Sequence, residues 1–265
     1  MVVRFFIFLL PQIVWMSLEA QILSGARAFG MAGSLTAIGG HNIHSSNPAS
    51  EHSGMFLFSF SGLPAAEGFN SSAVSAYWNF GAFGAEAGVQ RTGDEIASMH
   101  RMYAGISHRV QNSSVGFRFN LGQFRAEGIS AVYNVSVAAG GITRLSAHTS
   151  AGVWIDNFSI GREEESGLFG VRMQAGLITE ISENLMVSAS VLHQLNELPL
   201  IKSGFEYKIN RNTAIRAGSS IFPSALFIGS GFRYWKVSID LAGSYRRTLG
   251  TEFQITAGYT PVKKK

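Results

Sequence analysis

Lys236-Val-Ser-Ile-Asp-Leu-Ala-Gly-Ser-Tyr245 decides the fold, because its side chains alternate almost without exception. Val237, Ile239, Leu241 and Tyr245 fall on one face; Lys236, Ser238, Asp240 and Ser244 fall on the other. Successive side chains of a strand point to opposite faces, so this period of two reads as a strand with one apolar and one polar side. The same rhythm holds in the runs from Leu200 to Ile209, Thr213 to Ser219, Leu226 to Tyr234 and Glu252 to Tyr259, which minimal turns separate. A soluble sandwich alternates as well, so the pattern alone leaves a protein core and a membrane both open.

Composition narrows the choice. Of 265 residues, 46% are hydrophobic and 14% charged, against about 25% charged in ordinary soluble domains. The 30 Gly and 20 Phe suit a transmembrane barrel, with small residues inside and aromatics at the two interfaces. The absence of Cys excludes disulfides, thiol catalysis and a lipid anchor on an N-terminal cysteine. Lys263, Lys264 and Lys265 supply three of the +4 net charges, and no basic stripe suggests nucleic acid.

Residues 1–20 read as a cleaved signal peptide. Arg4 gives a positive start, Phe5 to Met16 is apolar, and Ala20 offers a small residue before Gln21. Pro11 and the short apolar length make a poor spanning helix, and no later stretch reaches the ~18 to 20 apolar residues one needs. The remaining chain divides into a small-residue segment over 21–53, strands over 54–260 and a basic tail over 261–265. In the first of these, Pro48 makes Asn47-Pro48-Ala49 a rigid corner. A segment this small could pack inside a barrel.

The run Gly25-Ala26-Arg27, Gly30-Met31-Ala32-Gly33 and Thr36-Ala37-Ile38, followed by Asn47-Pro48-Ala49, resembles the N-terminus of the FadL superfamily of outer-membrane proteins, in its PorV/PorQ-like branch from Bacteroidetes. Leu198-Pro199, Gly204 to Tyr207 and Ala214 to Gly218 resemble the strand-turn-strand pattern near that branch's C-terminus. His41 and His44 stand where the branch usually has acidic residues, and the chain runs past Tyr259 instead of ending on an aromatic residue. The resemblance implies a barrel with Asn47, Pro48 and Ala49 in an internal plug. It also implies a binding or scaffolding role at the type IX secretion translocon, with secretion-system proteins or exported cargo as partners. The superfamily's other role, passive passage of hydrophobic small molecules, is the alternative, with Gly81, Gly84 and Gly88 marking a wall kink of the kind that opens those barrels sideways.

Nine further alternating runs between Met55 and His193 bring the total to roughly fourteen strands, an even number that suits a closed barrel with both termini at one end. The expected fold is thus all-β: a transmembrane antiparallel β-barrel of about 14 strands with a short N-terminal plug. Tight connections at Gly81, Gln111–Asn112 and Trp235 fall on the terminal end, and the longest, over 157–167, falls on the other. With the apolar face outward, Arg118, Asn120, Asn134, Arg172 and Lys208 point inward. So do Lys202, Glu206, Arg216, Arg233, Asp240 and Glu252, the candidate lumen charge network. That network suits either a path for ions or substrate or a charge-compensated filling of plug and lumen. Trp78, Trp154, Trp235, Tyr234 and Tyr245 near strand ends suggest interface girdles.

Catalytic signals are thin, and no enzyme, cofactor or metal is expected. His41 and His44 are the one close histidine pair, without Cys or paired carboxylates beside them. His108, His148 and His193 have no spacing that marks a triad. Glu163-Glu164-Glu165 reads as a solvated loop. Outer-membrane lipid is the one partner that every barrel reading shares; an exported soluble β-protein with an adhesive or structural role is the remaining alternative.

Overall fold

The computed structural model describes residues 23–38, 47–50, 54–66, 68–159, 170–194, 197–247 and 249–261. The expected signal peptide, His41, His44, Glu163 to Glu165 and the lysine tail lie outside the described residues. Among the described residues, fourteen strands follow one short helix: α1 (Ala26–Phe29), β1 (Met55–Gly62), β2 (Asn70–Phe80), β3 (Phe83–Gly93), β4 (Ala97–Val110), β5 (Ser113–Ala126), β6 (Ile129–Arg144), β7 (Thr149–Ser159), β8 (Arg172–Glu180), β9 (Leu185–Gln194), β10 (Leu200–Lys208), β11 (Thr213–Ile221), β12 (Ala225–Tyr234), β13 (Val237–Arg246) and β14 (Gly250–Tyr259).

Each strand pairs antiparallel with its sequence neighbours, and β1 pairs with β14 to close the barrel. The closing ladder runs from Phe56 opposite Tyr259 to Gly62 opposite Phe253. Closure matters because an unpaired strand edge has no hydrogen-bond partner in hydrocarbon. Hairpins as short as Gly81–Ala82, Gln111–Asn112 and Trp235–Lys236 connect the strands. Gly81, Gln111 and Trp235 have φ of 85°, 53° and 53°, the positive values that let a two-residue turn follow the twist of its strands.

The start of β1, the end of β14 and these hairpins share one end. The far end carries the longest connection, over 160–171, yet it also has turns as tight as Glu127–Gly128. The loop asymmetry read from the sequence rests on three connections, 63–69, 160–171 and 195–199, each longer than any at the other end.

Alternation sorts the side chains. In β13, Ile239 and Leu241 are exposed while Asp240 is buried. Phe58, Phe117 and Ile228 on the outside are 53%, 62% and 68% exposed. Apolar groups of this kind surround the whole wall, far beyond the few hundred Å² that a water-soluble monomer tolerates in one patch. The outside therefore suits hydrocarbon, and the polar, small-residue side is the interior. Tyr234, Trp235 and Tyr245 are exposed near strand ends, and Trp78 faces out. Trp154 does not join them: it pairs across the sheet with inward Gly140, and Arg172 lies 5.7 Å from its ring. Its alternation phase, shared with Gly152 and Asp156, places it in the lumen.

Candidate functional site

The interior holds the segment 23–38 and the corner 47–50. Gly25, with φ of 87°, turns the chain into α1, and Ala32 and Gly33, at 55° and 68°, reverse it again. Such tight reversal with small side chains lets the segment lie across the bore. Its anchors reach many strands. The Ala26 amide donates to Thr256 Oγ1 at 2.8 Å, and that hydroxyl meets Ser59 Oγ at 2.6 Å across the β1–β14 closure. Ser34 Oγ lies 2.6 Å from Ser188 Oγ on β9. Gln174 Nε2 on β8 donates to the Gly33 carbonyl and to Thr36 Oγ1 at 3.0 and 2.6 Å.

Asn47 binds the corner to the wall. Its Nδ2 donates to the carbonyls of Thr36, Gly141 and Val153 at 3.0, 3.2 and 3.2 Å, while its Oδ1 accepts from the Ala49 amide at 3.0 Å. Ser114 Oγ on β5 then donates to the Ala49 carbonyl at 2.7 Å. An amide side chain is required here, since the same group must donate outward and accept from its own turn.

Inward glycines provide the seat. A β-carbon on Gly116 would strike the Pro48 carbonyl, one on Gly140 would strike Asn47 Oδ1, and one on Gly152 would strike the Thr36 carbonyl. Gly204 and Gly218 leave the same kind of room for Met31. Gly116 and Gly140 are direct cross-strand partners, as are Gly204 and Gly218. The wall is thinned where the segment lies against it.

Among the described residues, three charge clusters occupy the bore. In the first, Arg27 of α1 grips Glu206 with Nε and Nη2, both at 2.9 Å, and Arg216 bridges Glu206 and Asp240 with two contacts of 2.6 Å. Two guanidiniums meet two carboxylates, so charge balances, and Gly231 leaves the space in which Asp240 and Arg216 meet. In the second, Arg101 and Arg172 converge on Asp156 at 2.9 and 2.7 Å, with Asn120 3.2 Å away, while Arg118 pairs with Glu86 at 2.6 Å. In the third, Arg246 and Glu252 face each other at 3.9 Å. Buried charges need such partners, because an unpaired one costs several kcal/mol in low dielectric.

Of the six residues expected in the lumen network, Glu206, Arg216 and Asp240 meet. Glu252 joins Arg246 and Gln254 instead. Lys202 extends toward Gly33 of the inner segment. Arg233 and Lys208 have inward phase but lie exposed near the turn ends of their strands. Arg27, Arg101, Glu86, Asp156 and Arg246 were missing from the sequence reading. Phase alone could have found the last four, whereas Arg27 lies on no strand.

Gly81 sits in a turn, not in the wall. Gly84 and Gly88 lie in β3, whose ladders to β2 and β4 continue without register shift from Phe83 to Gly93. These glycines give their space to Ser107 and Tyr103 of β4. His108 faces outward and stacks on Phe83 at 4.3 Å, while His148 occupies an exposed turn and His193 an exposed position. Among the described residues no three His, Asp or Glu converge as metal ligands would.

The fold is shared with solved structures. A FadL homologue of Pseudomonas aeruginosa aligns over 89% of this chain and 98% of its own, with 10% identity and a TM-score of 0.67. The CymD monoaromatic hydrocarbon channel aligns over 89% and 96%, with 14% identity and a TM-score of 0.67. The toluene transporter TbuX of Ralstonia pickettii aligns over 88% and 96%, with 12% identity and a TM-score of 0.61. At these identities the likeness is one of fold, a FadL-type 14-strand barrel, and it does not reach the PorV/PorQ-like branch. No family model matches the chain, and no curated protein aligns with it.

Proposed function

We propose that the chain is an outer-membrane barrel that admits hydrophobic small molecules, with the inner segment as a plug held in its closed position. The observation that carries this reading is the inner segment across the bore, together with an apolar patch on the inner wall near the far end. Leu192 and Leu200 are cross-strand partners there, and both are buried with Ala225 and Phe227. Phe29 of the plug stands edge-on to Phe227 at 5.3 Å. This patch lies at the plug and beside the Arg246–Glu252 pair, since Ala225 and Arg246 are direct partners, so a solute entering from the far end finds apolar and charged surface at the same depth. The barrels of like fold support the substrate class, since two are described as a hydrocarbon channel and a toluene transporter. The secretion scaffold expected from the sequence resemblance draws no support from them.

Whole cells give the right assay, because a lipopolysaccharide surface retards hydrocarbons that a plain phospholipid bilayer lets through. Expression in a Gram-negative host lacking its own hydrocarbon channels should raise uptake of labelled toluene several-fold. Glucose entry and single-channel ion current should stay at background, since the plug and ion pairs fill the axis. Unchanged toluene uptake, with stoichiometric recovery of secretion-system proteins from solubilised membranes, overturns this reading in favour of the scaffold.

A further inference from the structure

The outer wall carries one basic spot. Among the described strand positions of outward phase, Arg91 on β3 and Arg125 on β5 are the only Arg, Lys, Asp or Glu side chains. They flank His100 on β4: Arg91 is its direct cross-strand partner, and Arg125 lies diagonally beyond Gln123, the partner of His100 on β5. Such neighbours have β-carbons about 5 Å apart when opposite and 7–8 Å apart on the diagonal. Neither arginine makes an ion pair with a described residue; Arg91 Nη2 donates to the Asp94 backbone carbonyl, and the Asp94 carboxylate is taken by the amides of Ile96 and Ala97.

The spot has a definite height. Arg91 and Arg125 are two and one residues from the far ends of their strands. The next outward row holds Val89, Met102 and Leu121, and the row below it holds Ala87 and Ala104 as direct partners. Polar cations thus stand at the rim of the apolar belt, above a shallow depression of small apolar side chains. Tyr133, exposed and paired with Gln123, closes the side of the row. Two long cationic side chains that flank one strand on a lipid-facing wall can both reach a single anion over that strand.

We infer that Arg91, His100 and Arg125 form a binding site for the phosphate of an anionic lipid in the leaflet at the far end of the barrel, with an acyl chain along the Ala87–Ala104 depression. This rests on the membrane reading above. Guanidiniums suit the task because they present forked donors to phosphate oxygens.

The test uses the purified full-length barrel in non-ionic detergent, offered phosphatidylglycerol or phosphatidylcholine of the same acyl chains, with bound lipid counted by native mass spectrometry. The wild type should retain one phosphatidylglycerol with roughly tenfold or greater preference, and the Arg91→Gln/Arg125→Gln variant should lose that preference. The variant should still migrate differently before and after boiling, which shows a closed barrel. Equal retention of both lipids by the wild type, or an undiminished preference in the variant, overturns the site while leaving the membrane barrel intact. Release of the lipid by an equal concentration of inorganic phosphate overturns the lipid as the ligand. A wild type that stays soluble without detergent overturns the membrane reading and the site with it.

Discussion

Replacing Arg216 with Met should destabilise the barrel by about 3–5 kcal/mol, the usual consequence of removing one partner from a buried ion pair. Arg216 is 8% exposed and its carboxylate neighbours Glu206 and Asp240 are 3% and 2% exposed, so solvent screens the loss poorly. Without Arg216, Asp240 loses its 2.6 Å contact and Glu206 is left with the Arg27 fork. Charge imbalance, more than lost contact, is the cause. The double variant Arg216→Met/Asp240→Asn, which removes one cation and one anion together, should therefore recover much of the deficit. Urea titration of the heat-sensitive gel mobility reads both. Equal losses in the single and double variants contradict the charge-balance explanation.

Gly140→Val should displace the Asn47 corner while leaving the wall intact. The new β-carbon would occupy the place of Asn47 Oδ1, and the corner cannot shift without losing the contacts of Nδ2 to three carbonyls. At about 1 kcal/mol net for each hydrogen bond, their joint loss raises the displaced population by roughly a hundredfold. The expected result is a barrel with unchanged heat-dependent mobility that leaks small polar solutes and carries ion current. Gly243→Ala is the control, because a β-carbon there meets nothing nearer than the Glu252 carbonyl at 3.7 Å, an ordinary contact. A Gly140→Val barrel as tight as the wild type means that the corner does not obstruct the bore.

The wall was readable from sequence because a strand's period fixes which face each residue takes, and one face here must be apolar around the whole circumference. Val237, Ile239 and Leu241 carry that information without help from any other part of the chain. The number of strands followed from repetition of the same rhythm. What alternation does not provide is which inward residues meet. Glu206 and Arg216 lie on adjacent strands at directly paired positions, so hairpin register sufficed for them. Asp240 reaches Arg216 past Gly231, over an intervening strand, and Arg27 comes from a segment 179 residues away from Glu206. Trp154 was misread because position near a strand end was weighed above phase. The glycines of β3 were read as a weakness in the wall, yet their missing side chains are filled by Ser107 and Tyr103 from the next strand. Small residues announce close approach, but not whether ligand, plug or neighbouring side chain does the approaching.

The inner segment lies inside the closed barrel, and the Cys-free chain permits a direct test of that placement. Ser34 and Ser188 hydroxyls stand 2.6 Å apart, one on the segment and one on β9, so a Ser34→Cys/Ser188→Cys variant places two thiols within reach of a disulfide. After mild oxidation of the folded protein, boiled samples on a non-reducing gel should show a cross-linked form that collapses to the linear one on reduction. Neither single-cysteine variant should yield it. The cross-linked barrel should retain the heat-dependent mobility of the wild type. Absence of the cross-link, with both thiols of the folded barrel open to a bulky maleimide, contradicts the account.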